Sequence, residues 1–170
     1  MKHIFFDVIK QENISDILLS GVVDIENGIA EFTPMLTYMF FQFDTKIIKF
    51  ESIEQYSKLK IEYIDSVTYD FEIEEDMYPA KSSIIEIIMT DTMADNSINS
   101  IEIYGYFSEN NKVLICDAIC FKLNCGQELF LDPTYFFGIN VGSNEQKKAW
   151  LNNYPNTKSN TIKKTLIELV

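Results

Sequence analysis

Residues 21–33 read GVVDIENGIAEFT, and the fold class turns on this stretch. Val22–Glu26 and Ile29–Thr33 carry period-two patterning on either side of Asn27-Gly28. Both central residues of a type I′ turn need positive φ, which Asn and Gly tolerate, so the stretch predicts a tight β-hairpin. The same period continues outward. Met35–Phe43 and Ile47–Ile53 flank Asp44-Thr45-Lys46, a second predicted hairpin, and Ile98–Phe107 and Val113–Leu123 form a third across the polar loop Ser108–Lys112. Val113–Phe121 is apolar on both faces except for Asp117, as a central strand should be. After turns at Asn124-Cys125-Gly126 and Asp132-Pro133, a final strand is predicted over Phe136–Val141.

The stretch 59–74 alternates as well. Leu59, Ile61, Tyr63, Val67, Tyr69, Phe71 and Ile73 fall on one face, and Lys60, Glu62, Thr68, Asp70, Glu72 and Glu74 on the other. A single strand of that length is unusual, so a bend is expected near Asp65-Ser66. Ser83–Thr90 reads as a more buried strand around Glu86. The first twenty residues read two ways: His3–Val8 fits a strand, while Ile14, Ile17 and Leu18 have the spacing of a short helix that Gly21 would end. Near the other end, Ser143 and Gln146 form a capping box ahead of Trp150, Leu151 and Tyr154, so a helix is expected until Pro155 stops it. Thr161–Val170 has helical spacing, and Leu166–Val170 serves equally well as an edge strand. The expected fold is mainly β with α+β character. It is an antiparallel sandwich or curved sheet carrying one or two C-terminal helices, as a single domain over 1–170.

Composition narrows the function classes. Apolar residues make up 46% and charged residues 24%, which suits a globular domain and neither a disordered tail nor a membrane protein. Asp7 and Lys10 interrupt the apolar start, so no signal peptide is read, and the uncharged run Phe32–Phe43 is too short to span a bilayer. A cytoplasmic protein is expected, and its three cysteines suit reduced thiols. Charge says more. There are 26 acids against 14 bases, every base is lysine, and the net charge is −12. Phosphates would be repelled, and arginine, the residue best fitted to grip them, is absent, so nucleic acid is disfavoured as a partner. A basic protein is favoured, because opposed fields speed encounter and fix orientation.

The inventory for catalysis is thin. His3 is the sole histidine, no base is placeable beside a Ser or Cys nucleophile, and the six glycines are scattered without a phosphate-binding pattern. Cys116 and Cys120 fall on one face of a predicted strand about 13 Å apart, too far to share a metal ion. No cofactor or metal is expected. Asp117 is the one suspicious acid, since a carboxylate in a central strand must be paired, protonated or at a bulge. A small hydrolase or transferase using Asp117 is therefore one alternative, and an assembly subunit presenting its sheet edges to copies of itself is another.

The run Asp70, Glu72, Glu74, Glu75, Asp76 is the strongest candidate surface. As a strand, its first three acids would project from one face about 7 Å apart and reinforce one another. Tyr78 follows after Met77, and an aromatic beside charge is what an interface core with a polar rim requires. These residues are the predicted partner-binding site.

The stretch Ile101–Phe137, IEIYGYFSENNKVLICDAICFKLNCGQELFLDPTYFF, runs from an aromatic strand through a polar acidic hairpin and a long apolar strand to a Phe-Leu-Asp-Pro turn. With the small size, negative charge and lack of a catalytic constellation, it resembles the immunity proteins of bacterial contact-dependent growth inhibition systems. It covers under a quarter of the chain and carries no family residue onto it. The resemblance implies a tight cytoplasmic binder of a cognate toxin domain, often a basic nuclease, that blocks its active site or substrate path.

Overall fold

The Asn27-Gly28 turn forms with φ of 53° and 78°, and the hairpin around it opens the larger of two sheets. The computed structural model describes residues 4–10, 12–108, 112–135, 138–153 and 163–169. A short helix, α1 (Ile4–Ile9), precedes β1 (Asp16–Glu26), β2 (Ile29–Pro34), β3 (Tyr38–Phe43), β4 (Lys46–Ile53) and β5 (Lys58–Ile64). Then come β6 (Tyr78–Ser83), the single helical turn α2 (Ile85–Ile88), β7 (Ile98–Tyr104), β8 (Phe107–Ser108), β9 (Val113–Cys116) and β10 (Ala118–Leu123). The chain closes with β11 (Glu128–Tyr135), β12 (Gly138–Gly142), α3 (Asn144–Asn153) and β13 (Lys164–Glu168). The sandwich read from the sequence is the fold observed.

In the first sheet, β1 is central to one end. Its residue Gly21 pairs with Pro34 of β2 and with Ala80 of β6, so those two strands lie on its opposite edges. The lower half of β1 pairs with β3, as in Leu18 with Phe40. Strands β2 and β3 therefore run end to end along one edge of β1, separated by the bulged segment 35–37, where the Met35 N–H donates to the Ser20 carbonyl at 2.8 Å. Beyond β3 the order is β4, β5, β9, β8. The second sheet has the order β12, β11, β10, β7, β13. All these ladders are antiparallel.

The sheets face each other across one apolar core. Phe41 and Phe50 of the first sheet meet Phe121 of the second at ring-centroid distances of 5.5 and 5.9 Å, and Phe5 of α1 approaches the same ring at 6.5 Å. Ile17, Ile48, Ile61 and Leu114 from one side, with Ile101, Ile103, Ile119 and Leu131 from the other, fill the rest. The outer face of the second sheet is covered by α3, whose Trp150 packs on Tyr104 and Phe130 at 5.6 and 5.7 Å.

Two hairpin strands pass from one sheet to the other. The predicted strand Val113–Leu123 breaks at Asp117 into β9, which pairs with β5, and β10, which pairs with β7 and β11. Its partner bends at Gly105, between β7 in one sheet and β8 in the other. Such corners are how packed sheets share a strand. One consequence corrects the expected placement of the cysteines: Cys116 joins the main core, whereas Cys120 lies under α3 with Tyr104 and Trp150.

Other expectations are revised too. The strand expected over His3–Val8 gives way, from Ile4 on, to α1, in which Phe5, Val8 and Ile9 are buried at helical spacing, while His3 lies outside the described residues. The helix suggested by Ile14, Ile17 and Leu18 is instead the start of β1, with Ile17 facing the core and Leu18 the outer face. Ser83–Thr90 is not a strand, because the sheet edge is taken by Tyr78–Ser83 and the apolar run after it turns once as α2. Asp132-Pro133 lies inside β11, where the register shifts, rather than in a turn. Ser143 caps α3 by accepting from the Glu145 N–H at 3.3 Å, but Gln146 donates across to Asp132 instead of closing the capping box. Leu166 lies in an edge strand, the second of its two readings. Tyr154 and Pro155 lie outside the described residues.

Candidate functional site

The acidic run is not a strand. After β5, residues 65–77 leave the ladder and cross the outer face of the first sheet as an extended strap. The alternation seen in the sequence is nevertheless used. Val67 packs on Leu18, Phe40 and Ile47, Phe71 lies 6.1 Å from the Tyr38 ring, and Tyr69 meets Phe71 edge-on at 6.1 Å. Apolar side chains turn toward the sheet and acids toward solvent, as in a strand, but without its hydrogen bonds.

Asp70 is the exception among the acids. Its carboxylate accepts from Lys49 Nζ at 2.6 Å and from the Thr68 hydroxyl at 2.7 Å, while its carbonyl accepts from the Tyr38 hydroxyl at 2.9 Å. Lys49 is only 3% exposed. It lies 5.0 Å from the Tyr38 ring centre and also contacts Glu51 and Glu62 at 3.5 and 3.6 Å. Glu51 and Glu62 stand opposite Lys60 and Lys49 in the β4–β5 register, so the outer face carries a checkerboard of cross-strand ion pairs. The Lys49 and Thr68 hydrogen bonds hold the Asp70 carboxyl below its usual range. For Lys49, burial favours loss of its proton, but the bond to Asp70 and the charges of Glu51 and Glu62 outweigh it and raise its pKa.

Asp70→Asn should loosen the strap rather than unfold the domain. The contribution of Asp70 is present above the unfolded carboxylate pKa, about 4, and fades as pH falls through its lower folded value. At neutral pH the substitution should cost about 1 kcal/mol, because the group is half exposed. Limited proteolysis within 65–77 should accelerate selectively, and an unchanged cleavage rate there would contradict the role of the Asp70–Lys49 pair in holding the strap.

Beyond Asp70, the strap frees its charge. Glu72, Glu74, Glu75 and Asp76 are exposed and make no ion pair or side-chain hydrogen bond among the described residues. They are followed, after Met77, by Tyr78, the first residue of β6, which is 60% exposed. Tyr78 stands opposite Val23, and Val23 stands opposite Phe32, so these three side chains share one face of the β6–β1–β2 end of the sheet. Of the predicted site residues, the structure thus ties Asp70 to Lys49 and leaves Glu72, Glu74, Glu75, Asp76 and Tyr78 exposed.

Two buried acids elsewhere, Asp117 and Glu102, are ion-paired. Asp117 is buried at the sheet-to-sheet corner, ion-paired with Lys58, and its N–H donates to the Tyr104 carbonyl at 2.8 Å. Under α3, Glu102 is 3% exposed and receives Lys122, Lys164 and Lys147 at 2.8, 2.7 and 3.4 Å, plus the Tyr104 hydroxyl at 2.8 Å. Lys147 also pairs with Glu128 at 2.5 Å. Burial pushes the Cys120 thiol beside it up to about 12, which favours the neutral thiol at physiological pH. No group of three His, Cys, Asp or Glu able to hold a metal is found among the described residues. Nor is any helix among them long and apolar enough to cross a membrane. An open cleft of about 580 Å³ lies between α2, the β11–β12 edge and the start of α3, and none of the predicted site residues lines it.

Sequence reading missed two parts of this surface. It did not foresee β6, which supplies the strand edge bearing Tyr78, nor that Val23 and Phe32 would be brought beside it. The Asn27-Gly28 hairpin register already aligned Val23 with Phe32, so that half of the signal was present. Neither a protein-family model, nor a curated protein, nor a solved structure matches the chain.

Proposed function

We propose that this chain is a stoichiometric protein inhibitor, an immunity protein that binds and blocks a cognate basic toxin domain, such as a nuclease, in the cytoplasm. One observation carries the reading. Four acids without partners among the described residues are followed, with Met77 between, by a largely exposed tyrosine on a sheet-edge strand. Leaving like charges together without counterions costs folding stability, and a basic partner returns that cost on binding. The net charge of −12 extends the same attraction over the whole molecule.

The test begins with the gene immediately upstream, which this reading expects to encode a protein with a C-terminal toxin domain. Co-expression of this chain should protect cells from that domain, and the two should co-purify. Glu72→Lys with Glu74→Lys should slow association on the order of tenfold at low salt, and the difference should vanish near 1 M salt, where screening reaches about 3 Å. Off-rates should change little, because these acids are rim groups. Failure of both protection and co-purification removes the reading; binding whose rate is indifferent to the double reversal moves the site elsewhere.

A further inference from the structure

We infer that the β1–β2 hairpin is an inserting arm, whose apolar face seats against a wall inside a concave, positively charged cleft of the partner. The inference rests on the inhibitor reading above and adds the mode of blocking. Strands β1, β2 and β6 continue past the bulge at 35–37 as a three-stranded extension, and its two faces differ in chemistry. On the core-side face, Val23, Phe32 and Tyr78 form one cross-strand row and Ile25 with Ala30 the next toward the tip. Ile25 keeps 55% of its surface exposed, and Ala30 is exposed as well. Phe32 lies close over Gly21 of the neighbouring strand, where an added Cβ would come within 2.9 Å of its ring.

The opposite face carries Asp24 directly across from Glu31, with Glu26 beside them, and none of the three has an ionic partner among the described residues. Two acids in direct cross-strand register repel. Ile29, 71% exposed, stands on this face next to the turn. Lys81 is the sole cation in the three strands. A flat partner would cover one face and leave the other unexplained, whereas a cleft covers both: an apolar wall on one side and cations on the other. A second copy of this chain fits poorly, since the same acids would meet one another. A basic cleft is also where a nuclease-like partner takes its polyanionic substrate.

The closing experiment compares the wild-type protein, an arm variant (Ile25→Ser with Tyr78→Ser) and the rim variant (Glu72→Lys with Glu74→Lys). The probes are the upstream-encoded C-terminal domain and a short fluorescent DNA duplex. Both arm positions are exposed, so the arm variant should melt within a few degrees of wild type. Its affinity for the domain should fall about 100-fold, as for two central anchors. Wild type should displace the duplex from the domain in a mutually exclusive manner. Wild type failing to bind sinks the inhibitor reading itself. Wild type binding while the arm variant binds equally well, or while DNA stays bound in a ternary complex, overturns the arm and leaves the inhibitor reading standing. Sedimentation as a dimer that the arm variant abolishes assigns the face to a second copy, and likewise overturns the proposal.

Discussion

Glu102→Ala should lower the stability of this protein by about 3 kcal/mol, a substantial share of the ~5–15 kcal/mol that holds a domain folded. Glu102 stands in β7 on the outer face of the second sheet, across from Cys120 of β10 and Leu166 of β13. Lys122 and Lys164 each sit two residues along from those positions, close enough for long side chains to reach a shared carboxylate diagonally. Lys147 descends from α3 to the same point. One buried acid thus ties β10, β13 and α3 to β7. Burial alone would raise its pKa. The hydrogen bonds from Lys122, Lys164 and Tyr104, with the charge of Lys147, more than offset this and take it down to about 2. That displacement from the usual value corresponds to roughly 3 kcal/mol, in agreement with the general cost of breaking a buried ionic cluster.

The sign of the pH dependence follows. A carboxyl whose folded pKa is depressed stabilises fully above its unfolded value, about 4.3, and loses that contribution as pH falls through about 2. Urea titrations of wild type and Glu102→Gln should therefore diverge above about pH 5 and converge toward pH 2. The glutamine retains the side-chain shape and an acceptor for Tyr104, so it isolates the charge. If the two proteins lose stability in parallel across that range, the cluster is not the source of the stabilisation.

The legibility of this fold in its sequence followed from range. The Asn27-Gly28 and Asp44 turns, with φ of 53°, 78° and 50°, are local chemistry, and both were readable because the turn residues and the flanking alternation agree. Ser143 and Trp150 marked α3 for the same reason. Segment 65–77 shows the limit. Its alternation reported which side chains face an apolar surface, and that was right for Val67 and Phe71. Whether that surface is covered by a hydrogen-bonded strand or an unpaired strap depends on Lys49, Tyr38 and the competing claim of β9 on the edge of β5, all remote in sequence. The candidate surface was legible as charge plus Tyr78. Its apolar half was not, because β6 is recruited to β1 across more than fifty residues and Tyr-Pro-Ala-Lys-Ser-Ser carries little strand signal.

The largest local effect is expected at the corner where the chain changes sheets. Gly105→Ala should destabilise by about 4 kcal/mol or more, through two causes that act together. The φ of Gly105 is +60°, a region that costs an L-residue about 1 kcal/mol. Its missing Cβ would also fall on the Asp117 carboxylate, and Asp117 cannot simply rotate away. Its own N–H is bonded to the Tyr104 carbonyl, its carboxylate is paired with Lys58, and the residue is buried. Either the Lys58 pair breaks, leaving a buried charge without its counterion, or the two corner segments, Gly105 between β7 and β8 and Asp117 between β9 and β10, move apart. Gly126→Ala provides the control, since that residue has φ of +91° but nothing within 4 Å of its would-be Cβ, and it should show the backbone cost alone. Because residues 105 and 117 touch, their effects should not add. Asp117→Ala placed in the Gly105→Ala background should cost far less than it does in wild type, since the alanine methyl would then occupy space the carboxylate has vacated. Equilibrium urea unfolding of the four proteins in that cycle measures the coupling directly. A Gly105→Ala variant no less stable than Gly126→Ala, or a cycle with no coupling, would show that the corner is held by something other than the fit of Asp117 against Gly105.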